Sequence, residues 1–209
     1  MSSTIVGEGS GRRKAVAASS RRTELLAIAA RLFAQRGYAQ TTVRDIADEA
    51  GILSGSLYHH FDSKEAMLTE ILHQFMGDLC ETFAGVVAES PSARAAFEGL
   101  VRASFQRIHE LPDPVALYQN ESGLFMSAAE FRFVADASRE VERIWRGVLD
   151  SGRDAGDFRP DLDTGVVYRF VQDAVWSTVR WYKPNGRLGH EEVADQFLAV
   201  MRVGVYSPV

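Results

Sequence analysis

Residues 42–61, TVRDIADEAGILSGSLYHHF, decide the fold of the N-terminal part of this chain. Thr42 is a residue type that caps helix starts, and Gly51 is the type that turns a chain sharply where a helix ends. The apolar positions between them recur at three and four residues: Val43, Ile46, Ala47 and Ala50. We therefore predict a short helix, a tight turn in which Ile52 packs into the corner between the helices, and a second short helix over about 54–60.

The second of these helices has two chemically different faces. Leu57 and Phe61 share one face at i, i+4 and are expected in the core. Small or hydrogen-bonding side chains remain for the other surface: Gly55, Ser56, Tyr58 and His59. Such side chains suit a DNA groove and its phosphates, so the stretch predicts a DNA-binding helix-turn-helix.

The flanking segments complete a small helical unit. Residues 20–36 carry an apolar stripe that ends at Gly37, formed by Leu25, Ile28, Ala29, Leu32 and Phe33. After Phe61, Ser63 caps a long helix that is expected to run to about residue 89. Residues 1–19 are rich in Gly, Ser and Ala, and their basic residues are followed by Arg21 and Arg22. We predict a disordered basic arm there, which either adds phosphate contacts or acts as a solubilising tail.

The remainder of the chain is helical in pattern and shows no convincing strand alternation. Its segments are 92–110, 114–128, 130–155, 163–182 and 190–205. The expected fold class is all-α, with about nine helices: a three-helix DNA-binding domain followed by a helical bundle. We place the arm at residues 1–19, the DNA-binding domain at 20–66 and a ligand-binding and dimerisation domain at 67–209.

Composition narrows the functional classes. The net charge is −5, but residues 1–65 hold nine Lys and Arg against seven Asp and Glu, whereas residues 66–209 hold fourteen against twenty-one. Only the N-terminal part is therefore biased toward phosphate. The single cysteine, Cys80, excludes an intramolecular disulfide framework. Neither a signal peptide nor a spanning stretch is apparent, which predicts a cytoplasmic protein without membrane contact.

Several signals that suggest catalysis or metal binding are weak in this sequence. His59 and His60 are adjacent, so on a helix they point about 100° apart and do not form a paired-ligand face. Ser54-Gly55-Ser56 lacks the strand and residue order of a nucleophile elbow. We predict no catalytic residues, no metal site and no cofactor, and hence a protein that is not an enzyme.

The N-terminal unit resembles the TetR family of bacterial transcriptional regulators over about 50 residues. The family pattern ATRLFAxxGYxxTTVxDIAxxAGVSxGSLYHHFxSKExL is represented here by residues 30–68. The resemblance implies a homodimer with its last two helices at the interface and repression relieved by a ligand. It implies DNA contacts, mostly to phosphates, from Thr42, Ser56, Tyr58, His59 and Lys64.

One position departs from that family pattern. Leu53 stands where the family commonly has a serine cap, and Ser54 where it often has a basic residue. Either Ser54 caps a helix that starts one residue later, or the helix start is uncapped. We expect base specificity to rest on Ser54, Gly55 and Ser56, with help from dimer spacing and the basic arm.

The whole chain is similar, more narrowly, to the actinobacterial TetR-type repressors of sterol catabolism, the group that controls breakdown of the last steroid rings. The likeness is carried by the helix-turn-helix and by FRPDLD, VYRF and VRWYKPNG in the C-terminal part. This kinship implies that the inducing ligand is a coenzyme A thioester of a ring-opened sterol remnant.

A pocket for such a ligand needs an apolar slot and polar or cationic groups at its mouth. The segment 163–182 carries a stripe of mixed polarity: Arg169, Gln172, Asp173, Trp176 and Arg180. We predict ligand contacts from Trp176, Gln172 and Arg169, with Tyr118 and Phe105 as further aromatic candidates; ordinary core packing is the alternative for each aromatic. Seven residues would form an apolar seam, either between two subunits or within one: Val166, Phe170, Val171, Val175, Phe197, Leu198 and Met201.

The sequence thus favours a repressor that binds double-stranded, palindromic operator DNA as a homodimer and is released by a small-molecule effector, expected to be an acyl-CoA thioester. A multidrug-type regulator responding to free lipophilic compounds is the alternative within the same class. An acyl-CoA-binding or hydrolysing protein is the alternative from another class, disfavoured because no nucleophile–base constellation is visible.

Overall fold

The computed structural model describes the backbone of residues 8–206 and the side chains of residues 20–125 and 128–206. It contains ten α-helices: α1 (Glu8–Arg36), α2 (Val43–Glu49), α3 (Ser54–Leu57), α4 (Lys64–Glu89), α5 (Ala93–Glu110), α6 (Pro112–Asn120), α7 (Ser122–Ser127), α8 (Arg132–Asp154), α9 (Thr164–Trp176) and α10 (His190–Gly204). Short 3-10 turns precede α8 and follow α9. The predicted all-α class is confirmed.

The first compact unit ends at Ile71, within α4. Its core contains the stripe predicted on α1, with Leu25, Ala29, Leu32 and Phe33 buried. The sequence predicts a domain boundary after residue 66, five residues before the division between Ile71 and Leu72. None of the described helices combines the length and apolar character that a membrane span needs.

The beginning of α1 differs from the prediction. The helix begins at Glu8, whereas the sequence pattern predicts a start near Ser20 and a disordered arm before it. Residues 15–18 are mostly alanine and the segment 8–19 contains no proline, which is compatible with a helix. Gly9 and Gly11 are poor helix formers, so composition does not predict that the helix extends to Glu8. Of the predicted arm, residues 1–7 lie outside the described residues.

The second compact unit begins at Leu72 and is organised around α5. This helix packs against α6, α8, α9 and α10. Its buried residues lie along most of its length: Ala96, Phe97, Leu100, Val101, Ala103, Ser104, Phe105 and Ile108. An isolated antiparallel bridge between Phe158 and Tyr206 holds the end of the described chain beside the turn after α8.

The predicted helix count is one too low because the segment 114–128 is interrupted. Glu121 has φ −105° and ψ 17°, outside the helical region, and it separates α6 from α7. The residues around it, Asn120, Ser122 and Gly123, are poor helix formers. The segment 163–182 also ends its α-helix early, at Trp176, where the Ser177 and Thr178 hydroxyls donate to carbonyls three residues earlier.

Candidate nucleic-acid interface and ligand site

The first helix of the predicted motif is held by a reciprocal cap. The Asp45 amide donates to the Thr42 hydroxyl oxygen at 3.1 Å, and the Thr42 amide donates to Asp45 Oδ2 at 2.8 Å. The Thr42 hydroxyl also donates to Asp45 Oδ2 at 2.5 Å. These bonds favour the ionised carboxylate, so they hold the pKa of Asp45 below its ordinary value. Thr42 is exposed, but its hydroxyl proton is directed at Asp45.

The turn after α2 depends on Gly51, as predicted. Gly51 has φ +66°, a left-handed conformation that costs other residues strain. Its amide donates to the Asp48 carbonyl at 3.2 Å, and the Ile52 amide donates to the Ala47 carbonyl at 3.0 Å. This pair of bonds is a Schellman motif, which satisfies carbonyls left open at the end of α2.

The second helix of the motif is shorter than predicted and lacks a side-chain cap. α3 ends at Leu57 rather than near His60, and the chain then continues in hydrogen-bonded turns. Leu53 occupies the N-cap position and makes no capping hydrogen bond, so of the two alternatives the helix start is uncapped. Leu57 and Phe61 are buried, as the i, i+4 spacing predicts.

Most of the residues predicted to contact DNA lie on the outward surface of α3 and the turn that follows it. Gly55, Tyr58 and His59 are exposed, and Ser54 and Ser56 are half-buried. Tyr58 exposes 55% of its surface. Leu53, which is not among the predicted contacts, is 81% exposed on the same part of the motif. No sequence pattern marks this leucine as exposed, since its apolar character by itself predicts burial.

Lys64, another predicted contact, is largely engaged within the unit. Its ammonium donates to the carbonyl oxygens of Tyr38 and Thr41, both at 2.8 Å, and lies 4.1 Å from the centre of the Tyr38 ring. A lysine ammonium has three N–H donors, so one remains for an anion. Lys64 therefore fixes the segment before α2 to the start of α4, whatever else it binds.

Arg22, which follows the predicted basic arm, also makes its contacts inside the first unit. Its Nε donates to Glu70 Oε1 at 3.0 Å, its Nη2 pairs with Glu70 Oε2, and its Nη1 donates to the His60 carbonyl. The guanidinium lies 4.0 Å from the centre of the Phe61 ring. The hydrogen bonds to Glu70 raise the pKa of Arg22. Arg21 likewise donates to the Ala50 carbonyl at 2.9 Å.

In the second unit, an aromatic cluster brings together two of the predicted ligand residues. The Phe75 ring of α4 lies 6.5 Å from Trp176 and 6.0 Å from Tyr118, measured between ring centres. Trp176 is 3% exposed. The Tyr118 hydroxyl shares a 2.9 Å hydrogen bond with the Ser138 hydroxyl. Phe75 is the member that sequence reasoning misses; the apolar stripe of α4 places it in the interior, but no local signal pairs it with Trp176.

The other predicted ligand residues occupy different environments. Gln172 is half-buried and Arg169 is exposed on α9, the helix that ends at Trp176. Phe105 is 2% exposed and packs against Phe197, with 5.9 Å between ring centres. Phe105 therefore contributes to the packing of α5 against α10 rather than to the cluster around Phe75.

Most cationic side chains in the described part of the chain are paired with carboxylates. Apart from Lys64, whose ammonium donates to carbonyl oxygens, five described lysine and arginine side chains have no carboxylate oxygen within 4.0 Å: Arg132, Arg169, Arg180, Lys183 and Arg187. Two of them, Arg169 and Arg180, belong to the mixed stripe that includes Trp176. The second unit thus offers unpaired positive charge on the segment where the sequence predicts anion recognition.

An open groove of about 700 Å³ lies elsewhere in the second unit, between the end of α4, the start of α5 and α8. Its lining includes the apolar residues Val87, Ala96, Ile144 and Val148 and the charged residues Glu140 and Arg143. None of the five predicted ligand residues lines this groove.

The predicted apolar seam is divided between the surface and the core. Val166 and Phe170 of α9 are 45% and 70% exposed, and Val200 and Val203 of α10 are 66% and 85% exposed. Val200 and Val203 are not members of the predicted seam, and three residues that are members lie buried within the subunit: Val171, Val175 and Leu198. Phe197 and Met201 are half-buried. The last two helices consequently present exposed apolar side chains that the subunit itself does not cover.

Comparison with known proteins assigns a family to both parts of the chain. The family model described as Bacterial regulatory proteins, tetR family, matches residues 25–71. A model described as Tetracyclin repressor-like, C-terminal domain, matches residues 90–205. The two matches cover the helix-turn-helix and most of the second unit.

Individual relatives match over most of their length. The HTH-type transcriptional repressor KstR2 of Rhodococcus jostii is 47% identical over 190 residues, which are 91% of this chain and 93% of that protein. KstR2 of Mycobacterium tuberculosis is 44% identical over 187 residues, 90% of this chain and 94% of that protein. The solved structure of the ketosteroid transcriptional regulator KstR2 of Mycobacterium tuberculosis aligns with a TM-score of 0.87, covering 90% of this chain and 96% of that one.

Proposed function

Because this chain belongs to the TetR family of bacterial transcriptional regulators, we propose that it is a repressor that binds a palindromic operator as a homodimer and is released by a coenzyme A thioester from sterol ring degradation. The observation that carries the proposal is the 47% identity to a KstR2 repressor over 93% of that protein's length. Such an alignment includes the effector-binding part of the molecule, where regulators of different ligands differ most.

The exposed surface of α3 is the proposed DNA-contacting element. Tyr58 and His59 present a phenol and an imidazole to solvent, and both groups donate hydrogen bonds to phosphate. Ser54 and Ser56 supply hydroxyls beside them. Thr42 and Lys64 stay in the proposed site in a reduced role, because their donors are largely committed within the protein.

The proposed dimer interface is the exposed apolar surface of α9 and α10. Val166 and Phe170 on one helix, with Val200 and Val203 on the other, are large side chains exposed by at least 45%. Pairing this surface with its own copy around a twofold axis removes it from water, which is favourable at about 25 cal/mol per Å². A twofold-symmetric dimer in turn requires two operator half-sites related by the same symmetry.

The proposed effector site is centred on Trp176. Its indole and the Phe75 and Tyr118 rings provide the apolar, aromatic surroundings that a ring-derived acyl group needs. Arg169 and Arg180 have no carboxylate partner and are therefore available for the phosphates of coenzyme A, while Gln172 supplies an amide. Phe105 is not part of the proposed site, because its ring packs against Phe197.

We propose that α4 transmits effector binding to the DNA-binding unit. This helix is continuous from Lys64 to Glu89 and carries Phe75, against which Trp176 packs. An effector that separates Trp176 from Phe75 acts directly on α4. Lys64, at the first position of the same helix, holds the segment before α2 through the Tyr38 and Thr41 carbonyls.

The test measures binding of the purified protein to DNA from the region upstream of its own gene, by fluorescence polarisation at several salt concentrations. We expect sequence-preferring, salt-dependent binding that is reversed by coenzyme A thioesters of ring-opened sterol fragments, and not by free coenzyme A or lipophilic cations. Release by lipophilic cations alone would instead support a multidrug-type regulator. Appearance of free thiol from the thioesters would support an acyl-CoA hydrolase.

Replacing Trp176 separates effector binding from DNA binding. For Trp176→Phe we expect unchanged operator affinity and a roughly three- to tenfold higher effector concentration for half-release, because a smaller ring loses aromatic contact. Phe105→Leu is the matched control: it also alters a buried aromatic residue, but its effector response should remain that of the wild type. Loss of operator affinity in Trp176→Phe would assign the indole to folding instead.

A further inference from the structure

Leu53 contributes neither to the core of the helix-turn-helix nor to the capping of its second helix. Its side chain is 81% exposed, so it contributes almost nothing to the core. It occupies the N-cap of α3 with φ −70° and ψ 142°, and it makes no capping hydrogen bond. Serine, threonine, aspartate or asparagine at this position would stabilise the helix start. Stability of the free protein therefore does not account for a leucine here.

Gly55, two residues later, is also not required by the fold. It is not among the glycines with positive φ, so its backbone conformation is open to other residues. A Cβ added at this position would meet nothing within 4 Å. Alanine would stabilise the helix, since glycine loses more conformational freedom on folding. What glycine does provide is a backbone that another molecule can approach closely.

We propose that Leu53 determines base specificity by contacting the C5 methyl group of a thymine in the major groove, at the point where Gly55 lets α3 approach the DNA closely. The inference rests on the proposed function as an operator-binding repressor. Among the four bases, thymine alone presents an apolar group on its major-groove edge. A leucine side chain has no hydrogen bond to offer, so the contact open to it on a base edge is with this methyl.

The composition of the surrounding surface supports a nucleic acid rather than a protein as the partner. In the described part of the first unit, the exposed large apolar residues are Leu53 and Tyr58. Tyr58 carries a hydroxyl suited to phosphate, which leaves one purely aliphatic side chain among hydroxyl, imidazole and phenol groups. One leucine is far too small to form the apolar centre of a stable protein interface.

The experiment begins with an operator selected from a random-sequence DNA library by the wild-type protein. Each thymine of a half-site is then replaced by deoxyuridine, which removes the C5 methyl and nothing else. We expect one position at which the replacement weakens wild-type binding about fourfold, the factor that corresponds to one buried methyl group. The same replacement in both half-sites should weaken binding roughly fifteenfold.

Two variants test whether Leu53 is the residue that contacts this methyl group. Leu53→Ala should bind the thymine and uracil operators equally at this position, while the other thymines keep their wild-type effects. Leu53→Ser should do the same and also raise the thermal unfolding midpoint, because serine restores a helix cap. Cooperative unfolding of both variants at or above the wild-type midpoint guards against a general loss of structure.

Three outcomes overturn the inference. If the wild-type protein binds every uracil-substituted operator as tightly as the unsubstituted operator, it does not contact a thymine methyl group. A methyl effect that persists in Leu53→Ala belongs to another residue. A library selection that enriches no sequence at all overturns the repressor proposal itself, and the role of Leu53 with it.

Discussion

Gly51 illustrates how a single residue can determine a local backbone path. Its φ of +66° is reached easily by glycine and costs other residues about 1–2 kcal/mol. A Cβ at this position would meet no atom within 4 Å, so a substitution there acts through backbone strain alone. The Schellman bonds from Gly51 and Ile52 depend on that conformation.

For Gly51→Ala we therefore expect a loss of about 1–2 kcal/mol, seen as a thermal unfolding midpoint lower by roughly 2–8 °C. Circular dichroism during heating measures it. An unchanged midpoint would mean that the turn relaxes into another conformation without strain.

Gly55→Ala is the matched substitution in a helix with ordinary φ, and we expect the opposite sign. Stability should rise by about 0.5–1 kcal/mol, because alanine loses less conformational freedom than glycine. Operator affinity should fall roughly tenfold, since a methyl group inserted into a close contact costs about 1–3 kcal/mol. Thermal unfolding and polarisation binding on the same preparation test both effects. Undiminished affinity would show that the DNA does not approach Gly55 closely.

At the scale of elements, Arg22 joins three parts of the first unit. It extends from α1 to Glu70 on α4, to the His60 carbonyl after α3, and over the Phe61 ring. The Arg22 and Glu70 side chains are 41% and 27% exposed, so water weakens the ion pair, but the fork geometry and the additional partners remain. Lysine does not reproduce this arrangement, since it lacks the planar fork.

We expect Arg22→Lys to destabilise the protein by about 1–2 kcal/mol, although the substitution retains the positive charge. Arg44→Lys is the control: Arg44 is 84% exposed and pairs with Asp48 only at 3.6 Å, so its effect should stay within about 0.5 kcal/mol. Urea unfolding of both variants compares them. Equal effects would show that the Arg22 contacts contribute little beyond an ordinary surface pair.

At the scale of the whole molecule, the exposed apolar side chains of α9 and α10 predict self-association. Phe170 is 70% exposed, and a carboxylate at its position would have to be buried in the proposed interface. For Phe170→Glu we expect a shift from dimer to monomer, with operator affinity reduced at least a hundredfold because two half-sites are no longer bound together. Sedimentation velocity and polarisation binding measure the two effects.

Ala88→Glu is the corresponding control, because it adds the same charge at an exposed position on α4. It should remain dimeric. A Phe170→Glu protein that stays dimeric and binds DNA normally would place the interface on another surface of the second unit.

The sequence by itself determines features that depend on residues close together in the chain. Thr42 and Asp45 are three positions apart, and Gly51 needs only its own backbone freedom, so the cap and the turn follow from local chemistry. Helical periodicity likewise identifies Leu57 and Phe61 as buried. The fold class and the helix-turn-helix are predictable for the same reason.

Only the tertiary structure decides which distant residues meet. Arg22 and Glu70 are 48 positions apart, and Phe75 meets Trp176 from another helix, so no spacing rule connects either pair. Leu53 is apolar yet 81% exposed, because exposure depends on which elements pack over a position. A local sequence pattern indicates which interactions each residue is able to make. Which residues are buried, and which ones contact each other, depends on how whole helices pack. That is why the motif can be recognised from the sequence, whereas only the fold separates the residues that hold it together from those that it leaves exposed.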